Sequence, residues 1–142
     1  MENFNTLGLP ESLRHTLEHM RFKKPTPIQE HAIPPALAGR DILGSAQTGT
    51  GKTAAFGIPL IVKLLAQKDC TALVMTPTRE LASQVIKELQ SLAGKKSNIK
   101  ALLLIGGESM QRQLQKLKNQ PRLIVGTPGR INDHLQRKSL KL

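Results

Sequence analysis

The chain has 142 residues, with 21 Lys and Arg against 10 Asp and Glu, a net charge of +11, one Cys, three Phe and no Trp or Tyr. That length holds one domain with a core but no second catalytic domain, and no apolar run approaches the ~20 residues of a membrane span. The lone Cys70 forms no intrachain disulfide, and the first residues lack the basic and apolar regions of a secretory signal, so a reducing, cytoplasmic setting is expected.

Leu13, Leu17 and Met20 recur at helical spacing after Pro10 and Ser12, which predicts a short helix over residues 11 to 20. A second helix starts at Thr26-Pro27, with Thr26 as N-cap and Pro27 at the first helical position, and is expected to stop near Pro34-Pro35. Asp41 to Ser45 reads as a buried strand, followed by a Gly-rich turn and a helix from about Gly51 to Gln67. Thr71 to Met75 is a second expected strand. Leu81, Val85, Leu89 and Leu92 define one face of a further helix closed by Gly94, and Ala101 to Ile105 is a third strand ending at Gly106-Gly107. Met110, Leu114 and Leu117 mark another helix, Arg122 to Val125 a fourth strand, and Ile131 to Lys138 a last helix after Gly126-Thr127-Pro128-Gly129. Short strands separated by amphipathic helices predict an α/β fold: a parallel sheet with helices on both faces, in which ligands sit at the carboxyl ends of the strands.

The charge is concentrated towards the C-terminus. Residues 95 to 142 hold eleven basic and two acidic groups, against ten and eight before them. Such an excess suits a polyanion, or equally a solvated surface whose acidic partners lie elsewhere. With three aromatic residues in all, contacts to a bound nucleic acid should fall on phosphate and sugar rather than on stacked bases.

Ala46-Gln47-Thr48-Gly49-Thr50-Gly51-Lys52-Thr53 lies between an expected strand and an expected helix, where a phosphate-binding loop must lie. Gly49 and Gly51 let backbone N–H groups converge on phosphate oxygens, Lys52 reaches the β and γ phosphates, and Thr53 offers a hydroxyl to Mg²⁺. Ala46 replaces the first Gly of the strict pattern, which is tolerable as long as its φ stays negative. Upstream, Phe22 and Gln29 stand seven residues apart across a proline-stiffened turn. The Gln29 amide could pair with the N6 and N7 edge of adenine while Phe22 packs on the ring. Thr26 and Gln29 also form a T-x-x-Q capping box, which spacing alone favours, and the two roles are not exclusive. Pro77-Thr78 could cap the helix that begins near Arg79, or bind a phosphate there.

With these segments in place the sequence resembles the DEAD-box ATP-dependent RNA helicases over nearly its whole length. Phe4, Phe22 and Pro25-Thr26-Pro27-Ile28-Gln29 resemble that family's Q motif, with Arg21 where the family often has Gly. Ala46 to Thr53 resembles motif I, Pro77-Thr78-Arg79-Glu80-Leu81-Ala82 motif Ia, Gly106-Gly107 the GG element, and Thr127-Pro128-Gly129-Arg130 motif Ib. The resemblance implies a RecA-like domain that uses ATP and Mg²⁺, with Phe4, Phe22 and Gln29 at the adenine and the last three motifs on the RNA backbone. It divides the chain into a Q-motif region, 1–38, and the N-terminal part of a first RecA-like domain, 39–142.

The acidic element that follows motif Ib in the family is not reached before Leu142. The expectation is therefore a piece of a helicase core with an incomplete sheet, lacking the second, C-terminal RecA-like domain, that binds ATP better than it hydrolyses it. Two other readings are a different P-loop ATPase and a non-catalytic module that binds ATP or RNA.

Overall fold

The computed structural model describes residues 3–142. They divide into two compact units, one running up to Ala66 and including Glu88–Ser97, the other Gln67–Lys87 with Asn98–Leu142.

The first unit is helical. A 3-10 turn, Phe4–Leu7, precedes α1, Glu11–His19, which buries Leu13 and Leu17 as their spacing predicts. Next comes α2, Pro27–Leu37, with Thr26 at its N-cap. It does not stop at Pro34-Pro35. The two prolines lie close to its end, where they withdraw only two amide donors, and their own carbonyls still receive Ala38 N–H and Arg40 N–H at 3.1 Å each. Buried Ala32 and Ile33 hold this turn against the core, and α2 packs on α3, Lys52–Ala66. Along α3, Gly57 faces Leu89 and Leu92, whose methyl groups would lie 2.7 and 2.9 Å from any added Cβ. A side chain there would force the close-packed core apart. Those two leucines belong to α4, Arg79–Ala93, which ends at Gly94 in the left-handed region with φ +77°. The buried face of α4 is Ala82, Val85, Ile86, Leu89 and Leu92; Leu81, expected on it, is 39% exposed.

The second unit carries the sheet. Strands β1, Ala72–Met75, and β2, Ala101–Leu104, both pair in parallel with β3, Leu123–Gly126, in the order β1-β3-β2. Parallel neighbours need helical crossovers. Helix α4 carries the chain from β1 to β2, on opposite sides of β3, and α5, Met110–Leu117, which packs against β2, returns it to β3. After β3 the chain enters α6, Pro128–Gln136. Leu102, Leu104, Ile124, Ile131 and Leu140 form the core, with Leu73 and Leu117 against it.

Asp41–Ser45 is not a strand. No described strand lies beside it, so its backbone N–H and C=O groups have no ladder to join, and Ile42 and Leu43 are 45% and 104% exposed. Among the described residues the sheet thus has three strands rather than four. Among the described residues no helix is long and apolar enough to cross a membrane.

Candidate functional site

Two clusters take shape, one in each unit. In the first, residues 46–51 form an open turn with Gly49 and Gly51 at φ +79° and +82°, whereas Ala46 keeps a negative φ, which explains why its β-carbon is tolerated. Three side chains fasten this turn. Thr26 Oγ1 donates to the Thr50 carbonyl at 2.7 Å, Gln29 Nε2 to the Gly51 carbonyl at 3.1 Å, and Lys52 Nζ to the Ala46 carbonyl at 2.7 Å. Thr50 Oγ1 closes the turn further on the Gln47 carbonyl at 2.6 Å.

Ala55 N–H is the first amide of α3 to find an acceptor, the Gly51 carbonyl at 3.1 Å. Those of Lys52, Thr53 and Ala54 have none among the described residues, nor has the Thr53 hydroxyl. A helix N-terminus with three free N–H groups, a lysine and a free hydroxyl fits a phosphate chain and a hard cation. No group of three His, Cys, Asp or Glu suited to a metal exists among the described residues.

Gln29 is 2% exposed, and its Oε1 accepts from Thr26 N–H at 3.0 Å, the return half of the capping box. Its other end lies on Gly51, so one side chain serves both the helix start and the loop. Phe4 and Phe22 meet edge to face with ring centroids 5.9 Å apart. Together with Arg14, Leu17 and Arg21 they line a pocket of about 340 Å³ that Gln29 does not line. Arg21 itself adopts φ +61°, the left-handed region that glycine occupies without strain.

In the second unit, the strand register brings the three other motifs to one edge. Met75 and Leu104 both stand opposite Gly126, so Pro77-Thr78-Arg79, Gly106-Gly107 and Thr127-Pro128-Gly129-Arg130 all follow carboxyl ends aligned in a row. Thr78 Oγ1 caps α4 by accepting Leu81 N–H at 3.2 Å. The Arg79 guanidinium lies against the glycine pair, where a Cβ on Gly106 or Gly107 would come within 2.7 and 2.9 Å of its nitrogens. The close approach that these glycines permit is thus used by an arginine of the same unit.

Arg130 Nη1 reaches the Glu108 carbonyl at 3.5 Å and Gln113 Oε1 at 3.3 Å. Gln113 and His134 are buried polar residues that the sequence reading passed over. The signal for Gln113 was an amide inside the apolar stripe of α5. His134, fully buried, has its pKa lowered from the ordinary 6.5, first by desolvation and then by the positive charge of Arg130.

A family model described as DEAD/DEAH box helicase matches residues 26–142. The chain is 51% identical, over its whole length, to the DEAD-box ATP-dependent RNA helicase CshA of Bacillus cereus, of which it covers 27%. It is also similar to the crystal structure of a DEAD box protein from the hyperthermophile Methanococcus jannaschii, with a TM-score of 0.91 and 44% identity, covering 99% of this chain and 38% of that one. The chain therefore spans well under half the length of these relatives. Matched over most of its residues by the helicase model, and carrying an α/β architecture like that of a solved DEAD box protein, this chain belongs to the DEAD/DEAH box helicase family.

Proposed function

We propose that the chain is the ATP-binding part of an ATP-dependent RNA helicase, supplying an adenine contact, the phosphate loop and part of an RNA backbone track. The observation that carries this reading is the trio of unpartnered amides on Lys52, Thr53 and Ala54, opening α3 behind a Gly49–Gly51 turn. To meet a phosphate, Lys52 gives up the Ala46 carbonyl and turns its ammonium to the β and γ oxygens, while Thr53 offers its hydroxyl to Mg²⁺. Bound Mg-ATP supplies the phosphoryl group whose transfer to water drives remodelling. Gln29 contributes to adenine recognition through the lone pair and the amide hydrogen left over after its bonds to Thr26 and Gly51. Phe4 and Phe22 add apolar surface from their own pocket, which Gln29 does not line.

For RNA, the chain offers Pro77, Thr78, Arg79, Gly106, Gly107 and Thr127 to Arg130 along the carboxyl edge of one sheet. Helix starts and arginines there suit sugar and phosphate oxygens rather than bases. The sequence has no adjacent Asp-Glu pair to hold Mg²⁺ and orient water, so this chain alone binds ATP with little turnover.

Thermal unfolding with Mg-ATP and with Mg-GTP tests the nucleotide reading. Ligand at a hundred times its dissociation constant stabilises the fold by about 2.7 kcal/mol, and this shift is expected for ATP alone. No shift, or an equal one with GTP, would sink the adenine assignment. In titration calorimetry Lys52→Ala should weaken Mg-ATP binding about 10- to 100-fold, the worth of a charge-assisted bond, while the ligand-free unfolding midpoint stays put. Unchanged affinity would remove Lys52 from the phosphate site.

A further inference from the structure

The exposed half of α5 is strongly polar, yet one polar side chain points the other way. Gln113 shares the inward stripe with Met110, Leu114 and Leu117 and is 2% exposed. Its orientation is fixed by chemistry. Nε2 donates to the Ile105 carbonyl at 2.9 Å, and a carbonyl only accepts, so Oε1 must face α6. There it meets two groups, Arg130 Nη1 at 3.3 Å and His134 Nε2 at 2.8 Å. Because Oε1 cannot donate, the His134 proton sits on Nε2. Desolvation disfavours the charged ring, and Nδ1 lies 2.9 Å from Ser139 Oγ, whose hydroxyl also donates to the His134 carbonyl at 3.1 Å. No buried side-chain nitrogen or oxygen among the described residues lacks a partner.

A satisfied core amide needs no further purpose, but the third member of this group is not a core residue. Arg130 is only partly buried. One of its nitrogens, Nη1, takes both protein contacts, and Nε and Nη2 have none among the described residues. An arginine free in water must lose rotamer freedom on binding an anion, and a side chain already held at one corner has lost part of it beforehand.

We infer that Gln113 is a positioning residue for the RNA backbone contact: it holds the Arg130 guanidinium by Nη1, beside the carboxyl end of β3, so that the remaining donors face a phosphate. The inference rests on the RNA-track reading of Arg130 given above. His134 supports it by occupying the other side of Oε1 and fixing the amide against rotation. Ile105, one residue before the glycine pair, anchors the opposite end, so the same amide links the GG turn to the start of α6.

The test is a double-substitution cycle on the full chain, with binding of a fluorescein-labelled oligouridine followed by anisotropy at several salt concentrations. Gln113→Met keeps the volume and removes the acceptor. It should weaken binding about three- to tenfold and lower the salt slope by roughly one contact, as Arg130→Ala does. In the Arg130→Ala background the same change should alter affinity by less than about twofold, since its route to the RNA is gone. An equal loss in both backgrounds overturns the positioning role and leaves Gln113 a structural residue, while the RNA track stands. If the unsubstituted chain does not bind, or Arg130→Ala binds as tightly with the same slope, the RNA-track reading falls and the inference with it. Should Gln113→Met lose its cooperative unfolding transition, Gln113→Asn takes its place in the cycle, keeping the amide but ending one methylene short of the guanidinium.

Discussion

The turn before α3 and the carboxyl edge of the sheet are built on opposite terms. The turn is an exposed segment preceded by five residues without a strand partner, and it owes its shape to a few bonds from Thr26, Gln29 and Lys52 onto its carbonyls. The edge is fixed by two parallel pairings, the buried β3 and an amide sealed inside the core. The turn thus hangs on single side-chain bonds, whereas the edge is held by continuous backbone ladders over a buried strand. The first should open locally at low cost and the second only with its unit.

That contrast can be broken at several points. Leu104→Ala, in the sheet core, should cost about 2–5 kcal/mol in urea unfolding. A smaller loss would mean that the edge is as loosely held as the turn. Gly51→Ala should cost about 1–3 kcal/mol, because φ +82° strains any other residue and the new Cβ collides with the Gln29 amide. It should also loosen Mg-ATP binding; normal stability and affinity together would show that the Gln29 tie does not shape the loop. Acid acts on the other region. His134 has a folded pKa below the 6.5 of the unfolded chain, so the unfolded state takes up the proton first. Its share of stability is whole above pH 6.5 and falls as pH drops below it, by up to about 1.4 kcal/mol per unit, until the folded ring also protonates. Stability measured across this range should flatten in His134→Asn, and an unchanged slope would assign the effect elsewhere.

Two smaller effects sharpen the picture. Arg21→Gly should raise stability by about 0.5–1 kcal/mol, seen as a midpoint a few degrees higher, by relieving the left-handed backbone. Leu43→Ala, at a fully exposed side chain, should change stability by less than about 0.5 kcal/mol. A loss there comparable to that of Leu104→Ala would mean that Asp41–Ser45 is packed after all.

Much of this was legible in the residues. Periodicity located three strands and most helix ends to within a residue or two, and the glycine spacing located the turn before α3; the last helix, expected from Ile131, begins three residues earlier at Pro128, because proline fits the first helical position. What failed depended on context. Asp41–Ser45 has the composition of a strand, but composition supplies no neighbour. Pro34-Pro35 reads as a stop, yet so near the end of α2 the lost donors matter little against the burial of Ile33. Leu81 obeys the spacing of its helix and still faces outward, because Ala82 and Ile86 complete the stripe instead. Gln113, Arg130 and His134 lie on two helices separated by a strand, so their meeting could not be read from spacing. Arg21 showed only as a departure from a pattern until its φ gave that departure a cost.

The strand order has a consequence for how the molecule is made. The central strand, β3, is the last of the three to leave the ribosome, and β1 and β2 bond to it and not to each other. Until Gly126 has been synthesised, Ala72–Met75 and Ala101–Leu104 have no partner in this sheet, and every pair that forms closes a loop containing at least one helix. Assembly therefore waits on distant contacts and should be slow relative to α1 and α2, which consolidate from neighbouring residues. During that wait two apolar strands are exposed, and it is then, rather than in the finished fold, that the chain is most prone to aggregate.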